Sequence, residues 1–144
     1  KRLEKYAAVF LVEKDGAVDR IILPVHGYGL WSTLYGFVAL QSDAETIAGL
    51  GFYAHGETPG LGGEVDNPSW KALWMGKKVH DASGTVAISV VKGKVVPGND
   101  KEINQVDGLS GATLTSNGVS NLMRFWLGEQ GFAGYLKTLK GQGV

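Results

Sequence analysis

A dense group of reactive side chains lies in the run 107–116, which reads Asp-Gly-Leu-Ser-Gly-Ala-Thr-Leu-Thr-Ser. It brings four hydroxyl groups and two glycines to the start of a segment with helical periodicity. Glycines let a backbone approach an anion closely, and the free N–H groups and dipole of a helix N-terminus favour negative charge. A hydroxyl beside a bound phosphate can also be esterified by it. The run is therefore a candidate phosphate site.

A helix cap is a second interpretation of the same residues, because serine and threonine are also preferred N-cap residues. From Asn117 onward, apolar residues recur at helical spacing, at positions 119, 122, 123 and 126. We predict a helix here that is capped by Ser116 and ends at Gly128. Spacing alone does not separate the cap from the phosphate site.

The same run also carries a motif. It resembles the flavinylation motif of the FMN-binding domain family, Asp-x-x-(Ser/Thr)-Gly-Ala-Thr. The matching residues are Asp107, Ser110, Gly111, Ala112 and Thr113. The continuation over 114–119 and 125–132 resembles one branch of that family, the C subunits of sodium-translocating NADH:quinone reductases. The resemblance extends over nearly all of the chain.

The resemblance implies a covalent cofactor. In the family, the threonine that follows Gly-Ala, here Thr113, carries FMN through a phosphoester that a separate flavin transferase forms. Ser110, Thr115 and Ser116 are rival hydroxyls that do not occupy this motif position. Asp107 is expected to orient the loop or assist the transferase, or else to accept backbone hydrogen bonds as an acid at the start of a turn.

A second glycine-rich segment, 55–62, reads His-Gly-Glu-Thr-Pro-Gly-Leu-Gly and cannot be regular helix or strand. It resembles the family segment that lies against the flavin ring. Gly60 permits close approach, Leu61 offers an apolar surface, and Thr58 can hydrogen-bond the polar edge of the ring. We expect His55 and Glu57 to be structural and to bond within their own loop, since two such residues make a poor metal site.

The aromatic segment 27–31, Gly-Tyr-Gly-Leu-Trp, resembles the family's glycine–aromatic segment near the flavin. Trp31 is predicted to stack on or edge the ring, with a core position as the alternative. We expect Leu30, Trp31, Leu61 and Leu109 to form an apolar wall. The remaining tryptophans are predicted to pack in the core or on its surface, and His26 and His80 are assigned no role. The predicted cofactor-binding residues are Thr113, Ser110, Gly111, Ala112, Leu109, Thr58, Leu61, Gly60, Trp31 and Leu30.

Composition limits the class of protein. The chain has 144 residues, 44% hydrophobic and 19% charged, which suits one globular domain over 1–144. Its formal net charge of zero removes a whole-chain electrostatic argument for binding nucleic acid or an anionic membrane. It has no cysteine, which excludes disulfides, thiolate metal sites and iron–sulfur clusters within these residues. The chain opens on Lys1-Arg2 without Met and has no run long enough to span a bilayer, so we expect a fragment of a longer protein.

The order of patterns predicts an α+β fold, a single antiparallel sheet with packed helices. A hairpin of 6–12 and 18–23 around a turn at 14–16 opens the chain, and the two glycines within 24–31 indicate a bend or a close approach of the backbone to a ligand. Further strands are predicted at 35–40, 46–53, 86–91 and 95–96, the second of them with a bulge or a close contact at Gly49 and Gly51. Helices are predicted at 68–75, with Asn67 as N-cap, and at 134–140.

The resemblance implies an electron carrier. FMN would relay electrons from the NADH-oxidising flavin and iron–sulfur subunits to a second covalent FMN, riboflavin and ubiquinone, coupled to sodium export. The domain would face the periplasm, held at the bacterial inner membrane by an upstream N-terminal helix. Because no Gly-x-Gly-x-x-Gly fingerprint follows a strand, we expect no NADH oxidation by the isolated domain.

Two other functions are compatible with these residues. The G subunit of the Rnf ferredoxin:NAD electron-transport complex shares the threonyl-FMN motif. A cofactor-free, β-rich binding or scaffold module would use the hydroxyl run as a helix cap and Trp31 as a core residue.

Overall fold

Antiparallel strands form the main sheet in their sequence order, as a series of hairpins requires. The structure is a computed structural model, and it describes residues 9–141. Within this range the main sheet consists of β1 Phe10–Lys14, β2 Ala17–Tyr28, β3 Thr33–Gln41 and β4 Ile47–Ala54. Two short strands pair in parallel as a separate sheet, β5 Ser89–Val90 and β6 Gln105–Val106.

Helices cover one face of this sheet. In residues 9–141 the α-helices are α1 Pro68–Ala72, α2 Thr113–Leu127 and α3 Ala133–Gly141, and short 3₁₀ helices occur at Gly62–Asp66 and Glu102–Asn104. The predicted α+β class with an antiparallel sheet is confirmed. No helix within the described part of the chain combines the length and the apolar character needed to cross a bilayer.

The opening hairpin is confirmed. Its turn residues Asp15 and Gly16 both have positive φ, 54° and 80°, which matches the twist of the flanking strands. Positions 6–8 of the predicted first strand lie outside the described residues.

Strand β2 is longer than predicted, and the bend expected from residue 24 does not begin until Tyr28. Pairing with β3 continues to Tyr28 opposite Thr33, and this cross-strand pairing outweighs the glycines that indicated a bend. In the described range β1 reaches only Phe10, opposite Ile22. Pro24 lies opposite Phe37 of β3, within the paired part of β2.

The buried core lies between the inner face of the sheet and α2. The fully buried sheet residues include Ile21, Leu23, Leu34, Val38, Leu40 and Ile47, and those of α2 are Val119, Met123 and Leu127. Trp70, Trp74 and Trp126 are also buried, as predicted. The indole N–H of Trp126 donates to the carbonyl of His26 at 2.7 Å, which ties α2 to β2.

Several predicted element boundaries were wrong. Only Ser89–Val90 of the strand predicted over 86–91 forms β5. Residues 95–96 form no strand, because the Val95 N–H donates to the Asp107 carboxylate at 2.8 Å. Helix α1 ends at Ala72, although its predicted cap is confirmed, with Asn67 Oδ1 accepting from the Ser69 N–H at 2.8 Å. The final predicted helix is confirmed as α3.

The two glycines of β4 mark an irregular strand. The pairing register with β3 shifts between Ala39 and Leu40, opposite the segment that begins at Ile47, so the predicted bulge is confirmed. The expected close contact is absent, since a Cβ atom at Gly49 or Gly51 would meet nothing within 4 Å.

Candidate functional site

Helix α2 begins at Thr113, four residues earlier than predicted. Its N-cap is Ala112, which has no polar side chain and makes no capping bond. Ser116 lies inside the first turn, where its hydroxyl accepts from the Leu109 N–H and donates to the Ala112 carbonyl, both at 3.0 Å. The prediction of Ser116 as N-cap was wrong, because this hydroxyl anchors the preceding loop. No side chain at the cap position therefore satisfies the N–H groups of the first turn.

The hydroxyls of the motif differ in accessibility. Thr115 and Ser116 are buried, with 1% and 3% of their surface exposed, whereas Ser110 and Thr113 are exposed. Between the exposed pair, Gly111 adopts a φ of +70°, a left-handed conformation that glycine accommodates without strain. Of the four hydroxyls, the structure thus presents two to a reagent from solution, and one of these is the first residue of α2.

The 55–62 loop lies against the motif. A methyl group at Gly111 would come within 3.0 Å of the Leu61 side chain, so these two segments touch. The Thr58 carbonyl accepts from the N–H groups of Leu61 and Gly63 at 3.0 and 2.8 Å and closes a turn in which Gly60 has a φ of +81°. The Thr58 side chain is exposed. The predicted contact residues of both segments therefore border one surface.

Glu57 has a structural role, as expected, but the expectation that it bonds within its own loop was wrong. Its side chain is 5% exposed, and the carboxylate leaves its own loop instead of bonding within it. Oε1 accepts from the Leu30 N–H and the Thr115 hydroxyl, both at 2.7 Å. Oε2 accepts from the Trp31 N–H at 3.0 Å and the Ser32 hydroxyl at 2.8 Å. The partners are 25 to 58 positions away in the chain, and no local sequence signal announces them.

His55 has the structural role that was expected for it. Its Nδ1 accepts from the Glu57 N–H at 3.1 Å, and its Nε2 lies 2.8 Å from a carboxylate oxygen of Asp66. The two contacts connect the loop backbone at Glu57 to Asp66 through the His55 ring and so stabilise the loop.

The hydrogen bonds to Glu57 determine its charge. Burial alone would raise the pKa of this carboxyl, but the bonds from Thr115, Leu30, Ser32 and Trp31 together outweigh burial and lower the pKa from 4.5 to about 2. The carboxylate is therefore ionised throughout the physiological pH range.

This low pKa predicts an acid-dependent stability. Since the folded-state pKa is depressed, the stabilisation from Glu57 is fully present above pH 4.5 and is lost as pH falls through about 2. As the pH is lowered from 4.5 towards 2, urea titrations should show a smaller decrease in the free energy of unfolding for Glu57→Gln than for the parent chain. Asp43→Asn replaces another carboxyl of lowered pKa and should keep the part of the pH dependence of unfolding that comes from Glu57. Identical pH slopes for the parent and Glu57→Gln would contradict the prediction.

Leu30 and Trp31 lie on the surface beside this carboxylate. They are 45% and 70% exposed, and Leu61 is 44% exposed, so a core position for Trp31 is wrong. Leu109 does not belong to the expected apolar wall because it is 6% exposed, with its N–H held by Ser116. The other three side chains of the expected wall are exposed.

The segment that carries Leu30 and Trp31 packs closely on α2. A Cβ atom at Gly118 would overlap the Tyr28 carbonyl and lie 3.0 Å from Gly29 Cα, and one at Gly27 would lie 2.6 Å from Leu122 Cβ. The glycines of 27–31 thus permit close approach to a helix, where the sequence had indicated a bend or a ligand. This packing fixes the aromatic segment next to the first half of α2.

Asp107 orients the loop before α2. Its carboxylate accepts from the Val95 N–H at 2.8 Å, and its carbonyl accepts from the Trp70 indole N–H at 2.8 Å. Lys94 Nζ lies 3.9 Å from the other carboxylate oxygen. These contacts agree with the expectation of an acid that accepts backbone hydrogen bonds.

Comparison with known proteins identifies the family to which the chain belongs. The family model for the FMN-binding domain matches residues 29–128, which include residues 29–31 of the aromatic segment, the 55–62 loop and the motif. The chain belongs to the FMN-binding domain family. The predicted family resemblance is thereby confirmed, and the uncapped helix start with its exposed threonine lies inside the matched region.

The similar proteins within this family include C subunits of one type of reductase. The C subunit of the Na(+)-translocating NADH-quinone reductase from Pseudomonas aeruginosa is 63% identical over 140 residues, covering 97% of this chain and 54% of the relative. The crystal structure of NqrC from Shewanella oneidensis superposes with a TM-score of 0.86 at 45% identity, covering 94% of this chain and 61% of that one. For the C subunit from Parabacteroides distasonis the values are 0.74 and 41%, with coverage of 89% and 61%. The chain spans about half the length of the first of these relatives.

Proposed function

We propose that Thr113 carries FMN through a phosphoester and that this domain relays electrons within a sodium-translocating NADH:quinone reductase. The observation that supports this most directly is the start of α2. The cap position holds an alanine, the first helical residue is an exposed threonine, and the next two hydroxyls, those of Thr115 and Ser116, are buried and hydrogen-bonded. A helix that begins in this way leaves its N–H groups and its dipole available to a phosphate.

The phosphate end of the cofactor would lie at this helix start. The Thr113 hydroxyl would be the esterified group, and the N–H groups of the first turn would donate to the phosphate oxygens. A threonine hydroxyl is a weak nucleophile without a base, and Asp107 is already bonded to Val95. A separate flavin transferase therefore supplies the base in this proposal, and the chain is its substrate.

The ring end would lie on the apolar wall. Leu30, Trp31 and Leu61 present exposed apolar surface, and Trp31 has a flat aromatic face that suits a conjugated ring. In this proposal, Thr58 and the backbone at Gly60 would meet the polar edge of the ring. A bound flavin accepts and donates one or two electrons, while the protein orients it and tunes its potential.

The relatives support placing the domain in a larger assembly. They are named as subunits of a Na(+)-translocating NADH-quinone reductase, which favours this complex over the Rnf alternative. In the proposed role, electrons reach FMN from partner subunits with a flavin and iron–sulfur centres and leave towards quinone. We propose that the domain faces the periplasm at the bacterial inner membrane.

Co-expression with a flavin transferase tests the proposal. The purified chain should be yellow, should keep its colour through denaturation and gel filtration, and should gain the mass of FMN less one water. Peptide mapping should locate the added mass on the peptide that contains Thr113. A colourless chain of unmodified mass from a host with an active transferase would favour the cofactor-free module.

A carboxylate placed in the apolar wall should change the potential of the flavin. Leu61→Asp should leave the ester in place and lower the midpoint potential, because a negative charge beside the ring disfavours its reduced anionic form. The expected size is on the order of 1 kcal/mol per electron, the Coulomb energy of charges a few ångströms apart in water. Ile103→Asp, at an exposed aliphatic residue in another part of the fold, is the control in a redox titration. Equal potentials in the two variants would remove Leu61 from the ring contacts.

A further inference from the structure

The Glu57 carboxylate connects three segments of the site. It accepts from Leu30 and Trp31 of the β2–β3 connection and from Thr115 in the first turn of α2, while its own backbone belongs to the 55–62 loop. The Ser32 hydroxyl donates the fourth bond. With two donors at each oxygen, the hydrogen-bonding capacity of the carboxylate is used fully.

These bonds determine which way the aromatic segment faces. Because the N–H groups of Leu30 and Trp31 point inward to Glu57, their side chains remain exposed beside the start of α2. Two glycines, Gly29 and Gly62, leave the space that the Glu57 side chain occupies. A Cβ atom at Gly29 would lie 2.5 Å from Oε1, and one at Gly62 would lie 3.1 Å from the Cβ of Glu57.

The loop that carries Glu57 contributes no apolar side chain to the main core: among the described residues, none of 55–62 belongs to the buried apolar core between the sheet and α2. What the carboxylate organises is the surface that includes Trp31, Leu61 and the helix start at Thr113.

We propose that Glu57 is a positioning residue for the flavin: its carboxylate holds the Leu30–Trp31 wall in register with Thr113 and places a fixed negative charge near the ring. The inference rests on the proposed function. It predicts two separable effects, one on the rate at which FMN is attached and one on the potential of the attached flavin.

Glu57→Gln tests both effects. An amide replaces one acceptor oxygen with a donor of nearly the same shape, so at least one of the N–H groups of Leu30 and Trp31 loses its charged acceptor. Attachment by the transferase should slow about tenfold in kcat/KM, as expected for the loss of charge-assisted hydrogen bonds. The midpoint potential of the loaded variant should rise, because a negative charge near the reduced flavin is gone. The visible circular dichroism of the flavin should change as its aromatic neighbour moves.

Asp43→Asn is the matched control. The Asp43 carboxylate likewise accepts several bonds, three where Glu57 accepts four, from the N–H groups of Glu45 and Thr46 and from the Thr46 hydroxyl, but it lies in the β3–β4 connection. Its replacement should leave attachment kinetics, potential and dichroism at the parent values. A general loss of order in the chain would instead affect both variants.

Thr115→Val provides a milder variant in case Glu57→Gln does not fold. It removes one donor and keeps the negative charge, so attachment should slow while the potential stays at the parent value. The role of Glu57 is overturned if the parent chain is loaded and Glu57→Gln, or Thr115→Val in its place, attaches FMN at the parent rate. Failure of the parent chain itself to be loaded would overturn the proposed function.

Discussion

Thr113→Leu is expected to abolish covalent attachment of FMN and to leave the fold in place. Thr113 supplies the hydroxyl at the first position of α2, and its side chain is exposed, so leucine removes the acceptor without opening a cavity. The free energy of unfolding should change by no more than about 0.5 kcal/mol, the usual range for a surface substitution. Intact mass after co-expression with the transferase measures the loss directly.

Ser110→Ala is the matched control for this substitution. Ser110 is the other exposed hydroxyl of the motif and lies three residues before Thr113. The control should be loaded as fully as the parent chain. Full loading of Thr113→Leu combined with loss of loading in Ser110→Ala would move the ester to Ser110 and overturn the assignment.

Gly118→Ala is expected to destabilise the chain and to disturb the site from a distance. The added methyl group would overlap the Tyr28 carbonyl and press on Gly29, which are backbone atoms that no rotamer change can move away. Alanine is favoured over glycine within a helix by about 1 kcal/mol, but overpacking of this kind costs about 1–3 kcal/mol. We therefore expect a net loss of stability, seen as a lower urea midpoint with an unchanged m-value.

Gly134→Ala separates the clash from helix propensity. Gly134 lies in α3, and a methyl group there would meet nothing within 4 Å. The same substitution should therefore be neutral or stabilising. Equal behaviour of the two variants would show that the contact between α2 and Tyr28 is not tight in solution.

With Gly118→Ala, slower FMN attachment is also expected, because the Leu30–Trp31 wall depends on this contact.

Local backbone chemistry was predictable from a few residues. Asp15-Gly16 indicated a tight hairpin turn, and Asn67-Pro68 indicated a helix start, since in both cases the conformation depends on the residues themselves. The apolar spacing after Asn117 indicated α2, although not its first turn. That turn was missed because Thr115 and Ser116 are polar, and the sequence does not show that both are buried and bonded internally.

The sequence by itself determined the strands of the main sheet, the helices, the glycine-rich loops and the motif whose family resemblance implies a flavin nucleotide on Thr113. Only the tertiary structure decided which hydroxyls remain accessible, that Leu109 is covered while Trp31 is exposed, and that Glu57 joins segments up to 58 positions apart. The reason is physical. A carboxylate can form the same hydrogen bonds at any position in the sequence, and so can a hydroxyl. Folding selects the partners, because it brings atoms of distant segments to within about 3 Å of each other.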